Sequence, residues 1–195
     1  VESNPQAQLV QRKKDNTATI GMLIFLASWA MMFAACFYSY VILRVSSGGW
    51  PPDGMPALPI VLPSINTLVL IGSSASLHLA IRAVREGKQK AFVRWLILTP
   101  VLGFIFTILQ LVLWQDLMGE GLRHTSGSYG SAFYFLTGFH ALHILVGLVL
   151  LIRVLPRALR GEYTPKSHHP IRLVAMFWHF VDLVWIFMFL SVFCL

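Results

Sequence analysis

The sequence predicts an all-α fold: a polytopic membrane bundle of five transmembrane helices, N-terminus inside and C-terminus outside. Three observations carry that expectation. The 195 residues are 56% hydrophobic and only 12% charged, and the apolar residues fall in blocks rather than in the stripes of a soluble helical protein. Five blocks are long enough to cross a bilayer, which takes ~20 mostly apolar residues: about Ile20–Leu43, Ile60–Ile81, Phe92–Leu117, Ala132–Leu155 and Ile171–Leu195. Basic residues are placed asymmetrically. Arg12, Lys13 and Lys14 precede the first block; Arg82, Arg85, Lys88, Lys90 and Arg94 surround the second connection; Arg153, Arg157, Arg160, Lys166 and Arg172 surround the fourth. The other two connections have only Arg44 and Arg123, the positive-inside pattern. Placed so, the net charge of +7 points to a membrane surface and away from nucleic acid.

Residues 1–19 read as a polar tail on the cytoplasmic side, and 20–195 as one transmembrane domain. The basic start leads into a span of full length with no small-residue cleavage site, so the first span is expected to act as an uncleaved anchor and not as a signal peptide. Asn16 to Thr19 offer capping side chains at its entry. Gly21, Ala27, Ser28, Ala30, Ala34 and Ala35 allow close helix approach, which matters where lipid removes the hydrophobic drive between helices. Tyr38 and Tyr40 suit the outer interface. The connection 46–59 holds Gly48, Gly49, Pro51, Pro52, Gly54, Pro56 and Pro59, so it reads as an ordered outer loop, with Trp50 at headgroup level.

Span two is the most polar, with Asn66, Thr67, Ser73, Ser74, Ser76 and His78. Span three has Pro100, Gly103 and Gln110, then Asp116, Glu120, Arg123 and His124 at its outer exit. Span four pairs small residues with two intramembrane histidines, His140 and His143. A basic connection with His168 and His169 leads to span five, where His179 and Asp182 sit among Trp178, Phe180 and Trp185. Cys36 and Cys194 have no ligand spacing and read as small buried hydrophobes.

Ionisable side chains are costly at bilayer depth. His143 lies ten residues before Arg153, and Asp182 ten residues after Arg172, which puts both about 15 Å from the inner ends of their helices. Consecutive helices are commonly neighbours. His140, His143, His179 and Asp182 are therefore expected to form one polar layer, with Asp182 meeting the span-four histidines directly or through one water. Asn66, Gln110, Trp178 and Trp185 are secondary packing and polar residues. Three readings of the layer stay open: a hydrogen-bond network fixing helix register, a metal site built on His-x-x-His, and a proton relay. Seven histidines fall short of the set a membrane di-iron hydroxylase needs. Phosphate-loop and nucleophile-elbow motifs are missing from the sequence.

Two stretches carry a resemblance. Tyr129-Gly130-Ser131-Ala132-Phe133-Tyr134 leads into Thr137-Gly138-Phe139-His140-Ala141-Leu142-His143, and Trp178-His179-Phe180-Val181-Asp182-Leu183-Val184-Trp185 lies in the fifth span. With His168-His169, Gly21 to Leu26 and Asn66 to Leu70 in support, the chain resembles subunit III of the haem-copper respiratory oxidases along nearly its whole length. The five spans match the last five of the family's seven-helix form, as in shorter bacterial members. The resemblance implies a non-catalytic subunit that binds neither metal nor redox cofactor. Haem and copper would lie in partner subunits, and phospholipid in the surrounding membrane. It further implies direct packing on subunit I, a complex with subunit II and other respiratory subunits, support of proton uptake, and residence in a bacterial inner membrane rather than a mitochondrial one. The complex would oxidise cytochrome c, reduce oxygen to water and pump protons. Subunits III of quinol oxidases, or homologues beside nitric oxide reductases, are alternatives. A free-standing membrane metalloenzyme or transporter is the rival of another class. Two positions depart from the family: Trp29 follows Ser28 where a carboxylate is common, and Leu113, downstream of Gln110, stands where another is found.

Overall fold

Five long helices follow one another: α1 (Pro5–Ser46), α2 (Val61–Arg85), α3 (Gln89–Gly119), α4 (Gly127–Leu159) and α5 (His169–Met188), the last continued by a π-helical segment, Phe189–Cys194. The computed structural model describes residues 5–52, 54–165 and 167–194. Expectations touching residues 1–4, Lys166 and Leu195 lie outside these. All five helices are long and apolar enough to cross a membrane, and the chain is an integral membrane protein. The expected apolar blocks fall on these helices in order, with Ile60 just ahead of α2 and the fifth block running from α5 through the π-helical segment. The polar N-terminal segment is helical from Pro5 onward. Apolar blocks mark where lipid begins, whereas a helix needs no lipid to continue in a polar sequence.

The basic stretches share one end of the bundle. Thr19 Oγ1 of α1 meets His169 Nε2 at 3.0 Å, and Gln89 Nε2 donates to the carbonyl of Ala158 at 2.7 Å. The turns at this end close in the same way. Gly87 and Gly161 adopt φ values of 72° and 73°, the left-handed conformation that ends a helix on glycine. Lys88 N–H then reaches back to Ala83 O and Glu162 N–H to Arg157 O, satisfying carbonyls the helix leaves open. Between them Tyr163 is buried and packs edge-on against Phe92 at 6.2 Å. Burial pushes its phenol above the usual tyrosine value, with Arg157 acting in the opposite sense.

At the other end Trp50 is partly buried against the core. Its ring stands edge-on between Tyr40 at 5.6 Å and Tyr129 at 4.8 Å, so the Gly/Pro-rich connection folds over α1 and α4. Arg44 donates to Ser191 O at 3.2 Å, tying α1 to the π-helical segment.

The interior belongs to α2–α5. The most apolar stretch of α1 is only 11% buried, against 39% to 50% in the others. That helix is therefore peripheral, packed on α4 and α5, and an apolar groove opens between it and α4.

Candidate functional site

Trp178, Asp182 and Trp185 are spaced i, i+4 and i+7 and share one face of α5. Trp178 and Trp185 are fully buried. Trp178 Nε1–H donates to Ser73 Oγ at 3.1 Å, and that hydroxyl donates to Thr99 O at 3.1 Å. Trp185 Nε1–H donates to Thr67 Oγ1 at 2.9 Å, which donates to Pro63 O at 2.8 Å. Trp114 repeats the pattern on Thr137 at 3.2 Å, whose hydroxyl donates to Phe133 O at 2.8 Å. An indole has one donor and no acceptor, and a hydroxyl accepts while it donates. Each chain of two bonds therefore ends on a backbone carbonyl with no orphaned donor. Ser76 adds a 2.8 Å bond to Thr99 Oγ1, so α2 and α3 are joined side chain to side chain.

Small residues make room for Trp178. A Cβ on Gly147 would stand 2.7 Å from Trp178 Cε3, and one on Gly103 2.8 Å from Cη2. The ring thus lies against α3 and α4 backbones while its nitrogen reaches α2.

The four residues expected in one layer are distributed among different interfaces. His143 points toward α1: its ring lies 4.2 Å from Trp29, 5.1 Å from Phe33 and 4.8 Å from Phe139. Its Nδ1 is 2.7 Å from Phe139 O. A carbonyl only accepts, so the proton resides on Nδ1. His140 is fully buried between Phe106 at 6.0 Å and Trp185 at 5.2 Å, and neither ring nitrogen has a hydrogen-bond partner. His179 Nδ1 bonds to Ser74 Oγ of α2. Asp182 lines a cavity with Thr67 and Ser74 of α2; neither carboxylate oxygen makes a hydrogen bond of good geometry, and Ser74 is the hydroxyl that acts on it. Asp182 therefore makes no direct hydrogen bond to His140 or His143. The two side chains face different neighbours, His143 the rings of α1 and Asp182 the wall formed by α2. The indole bonds to Ser73 and Thr67 turn the Asp182 face of α5 toward α2.

Of the secondary residues, Asn66 and Gln110 are brought together: Asn66 Nδ2 donates to Gln110 Oε1 at 3.3 Å. The remaining amide groups, Asn66 Oδ1 and Gln110 Nε2, have no partner. Leu113 is buried in the core. His168 and His169 separate: His168 Nδ1 meets Thr164 O at 3.2 Å, while His169 faces Thr19 and lies 3.7 Å from Asp15. Among the described residues no three His, Cys, Asp or Glu side chains are grouped to hold a metal. Sequence reasoning missed the hydroxyl partners of the indoles and the aromatic cover that Trp29 gives His143. The Ser/Thr density of span two, facing tryptophans seven apart, was the available signal.

The family model described as cytochrome c oxidase subunit III matches residues 8–195. The chain belongs to the cytochrome c oxidase subunit III family. Among similar proteins, the cytochrome c oxidase subunit 3 of Synechocystis sp. is 37% identical over 176 residues, covering 90% of this chain and 74% of that one. The Mus musculus protein of the same name is 36% identical over 179 residues, covering 89% and 67%. That of Thermostichus vulcanus is 35% identical over 171 residues, covering 87% and 83%. Within this subunit III family member, the α5 stretch from Trp178 to Trp185 binds α2 through its indoles and lays Trp178 against α3 and α4. Its resemblance-bearing residues are, to that extent, packing residues.

Proposed function

We propose that this chain is a non-catalytic subunit III of a haem-copper terminal oxidase. In this reading it packs on subunit I, stabilises it and supports proton uptake, while the complex oxidises cytochrome c, reduces oxygen to water and pumps protons. The observation that carries it is the family match along residues 8–195. The interior chemistry supports it: the tryptophan nitrogens of α3 and α5 are spent on hydroxyl-to-carbonyl chains that fix helix positions. The proposal includes subunit II and lipid as neighbours, the basic end of the bundle inside, and a bacterial plasma membrane. Roles that depend on carboxylates at positions 29 and 113 pass to other groups, because Trp29 and Leu113 are apolar.

Purification of the tagged chain from its own membranes in mild detergent tests this. Co-purification of a haem-bearing polypeptide, with oxygen uptake driven by reduced cytochrome c, is the expected result. Uptake driven only by quinol would shift the reading to a quinol oxidase. A lone protein retaining stoichiometric iron or zinc would overturn it.

A further inference from the structure

A cavity of about 270 Å³ lies at the basic end of the bundle, between the polar start of α1 and the first turn of α5. α1 lines it with Arg12, Asp15, Asn16 and Thr19, whose i, i+3, i+4 and i+7 spacing puts them on one helix face. Across from them stand His168, His169 and Arg172.

The bonds of this wall leave its positive charge unmatched. Asp15 is the one carboxylate in it, and that group is already engaged. Gln11 Nε2 donates to Asp15 Oδ1 at 2.9 Å, and His169 Nδ1 lies 3.7 Å from the same oxygen. Thr19 donates its hydroxyl proton to Asp15 O at 2.9 Å, so it accepts from His169 Nε2–H. His168 Nδ1–H donates to Thr164 O. Among the described residues the guanidiniums of Arg12 and Arg172 make neither a hydrogen bond nor an ion pair. Two cations on one cavity repel each other, and an anion between them removes that cost.

Guanidinium geometry and cavity size select the anion. A guanidinium is a planar fork of donors that meets phosphate oxygens in pairs. The volume falls short of the ~300–1,000 Å³ of sites that enclose a drug-sized ligand, so a phosphate group with a few waters fits and a whole nucleotide does not. Thr19 directly precedes the apolar block that begins at Ile20, and Arg172 precedes the apolar run of α5. The cavity therefore opens at the membrane boundary, where basic side chains meet anionic headgroups and dissolved anions alike.

We propose that the cavity between the polar start of α1 and the first turn of α5 binds a phosphate-class anion, free or as the headgroup of an anionic lipid, on the guanidiniums of Arg12 and Arg172. Asn16 and His168 complete the wall, and Asp15 opposes the ligand. Binding clamps the peripheral helix α1 to α5 at this end. The site stands apart from the oxidase reading and needs no redox activity to be read.

The full chain, with whatever partners purify with it in mild detergent, is the material for the test. Native mass spectrometry counts phosphatidylglycerol retained per chain. Thermal unfolding is followed as inorganic phosphate replaces chloride at matched ionic strength, and in phosphatidylcholine nanodiscs with and without phosphatidylglycerol. The wild-type midpoint is expected to rise with the ligand. Arg12→Gln and Arg172→Gln, at exposed positions, should weaken the response several-fold while unfolding as wild type in chloride. Asp15→Asn removes the opposing charge and should strengthen it. Arg160→Gln, at the same end but outside the wall, should leave it unchanged. A response to dissolved phosphate assigns a free anion, and a response to the lipid alone assigns a headgroup; both uphold the site. Equal midpoints in phosphate and chloride with no lipid retained overturn it. So does a loss in Arg160→Gln as large as in Arg12→Gln and Arg172→Gln.

Discussion

Trp178 stands against Gly147 so closely that a methyl group on the glycine would lie 2.7 Å from the ring carbon Cε3. The ring is fully buried and its nitrogen is held by Ser73, so neither partner has room to yield. Gly147→Ala is expected to cost about 1–3 kcal/mol, the usual penalty of overpacking. Gly103→Ala should behave alike. Gly138→Ala is the control, because its nearest neighbour would be Trp114 Cη2 at an ordinary 3.9 Å. Thermal unfolding of the three variants in detergent checks the order.

Ser73 receives the Trp178 proton and passes its own to Thr99 O. Ser73→Ala orphans a buried indole donor, at a cost of about 1–3 kcal/mol. Trp178→Phe removes the donor but leaves a packing defect. A double-mutant cycle on the two positions should return a coupling near 0.6 kcal/mol, the average for side-chain hydrogen bonds between membrane helices.

Asn66 and Gln110 share one hydrogen bond and leave one amide group each unmatched. Asn66→Leu or Gln110→Leu alone strands the other amide in the core and should destabilise. Replacing both with Leu removes the polar pair together and is expected to be near neutral. Unfolding midpoints of the two single variants and the double variant test this asymmetry.

Tyr163 supplies a pH dependence outside the membrane. Burial raises its phenol above the usual value, so the folded chain favours the protonated form. That contribution is complete below the unfolded tyrosine's pKa and is lost as pH rises through the folded one. Tyr163→Phe should abolish the alkaline loss. At neutral pH it should cost little, because the hydroxyl makes no hydrogen bond of good geometry and Arg157 acts on it only weakly against burial. Stability measured against pH for both chains decides it.

The helices were legible because hydrophobic blocks of membrane length leave few alternatives. Rotation was not, because it depends on which neighbour claims each face. Asp182 follows Trp178 and Trp185 toward α2, where hydroxyls wait for their nitrogens, while His143 is turned to α1 and covered by Trp29. A sequence shows which residues are polar, but not that two indoles will outweigh a carboxylate in setting the roll of a helix. The helical start at Pro5 was hidden for a different reason: hydropathy reports lipid, not backbone.

The first helix grips its neighbours at widely spaced heights: Thr19 on His169, Trp29 on His143, Tyr40 on Trp50 and Arg44 on Ser191. Its 42 residues make a rod about 63 Å long, engaged along one flank. The two middle grips are ring contacts, which slide, and the two outer ones are polar bonds, which hold. Such a rod acts as a splint: its two polar bonds fall at opposite ends of the last helical run, on His169 at the start of α5 and on Ser191 in its π-helical continuation.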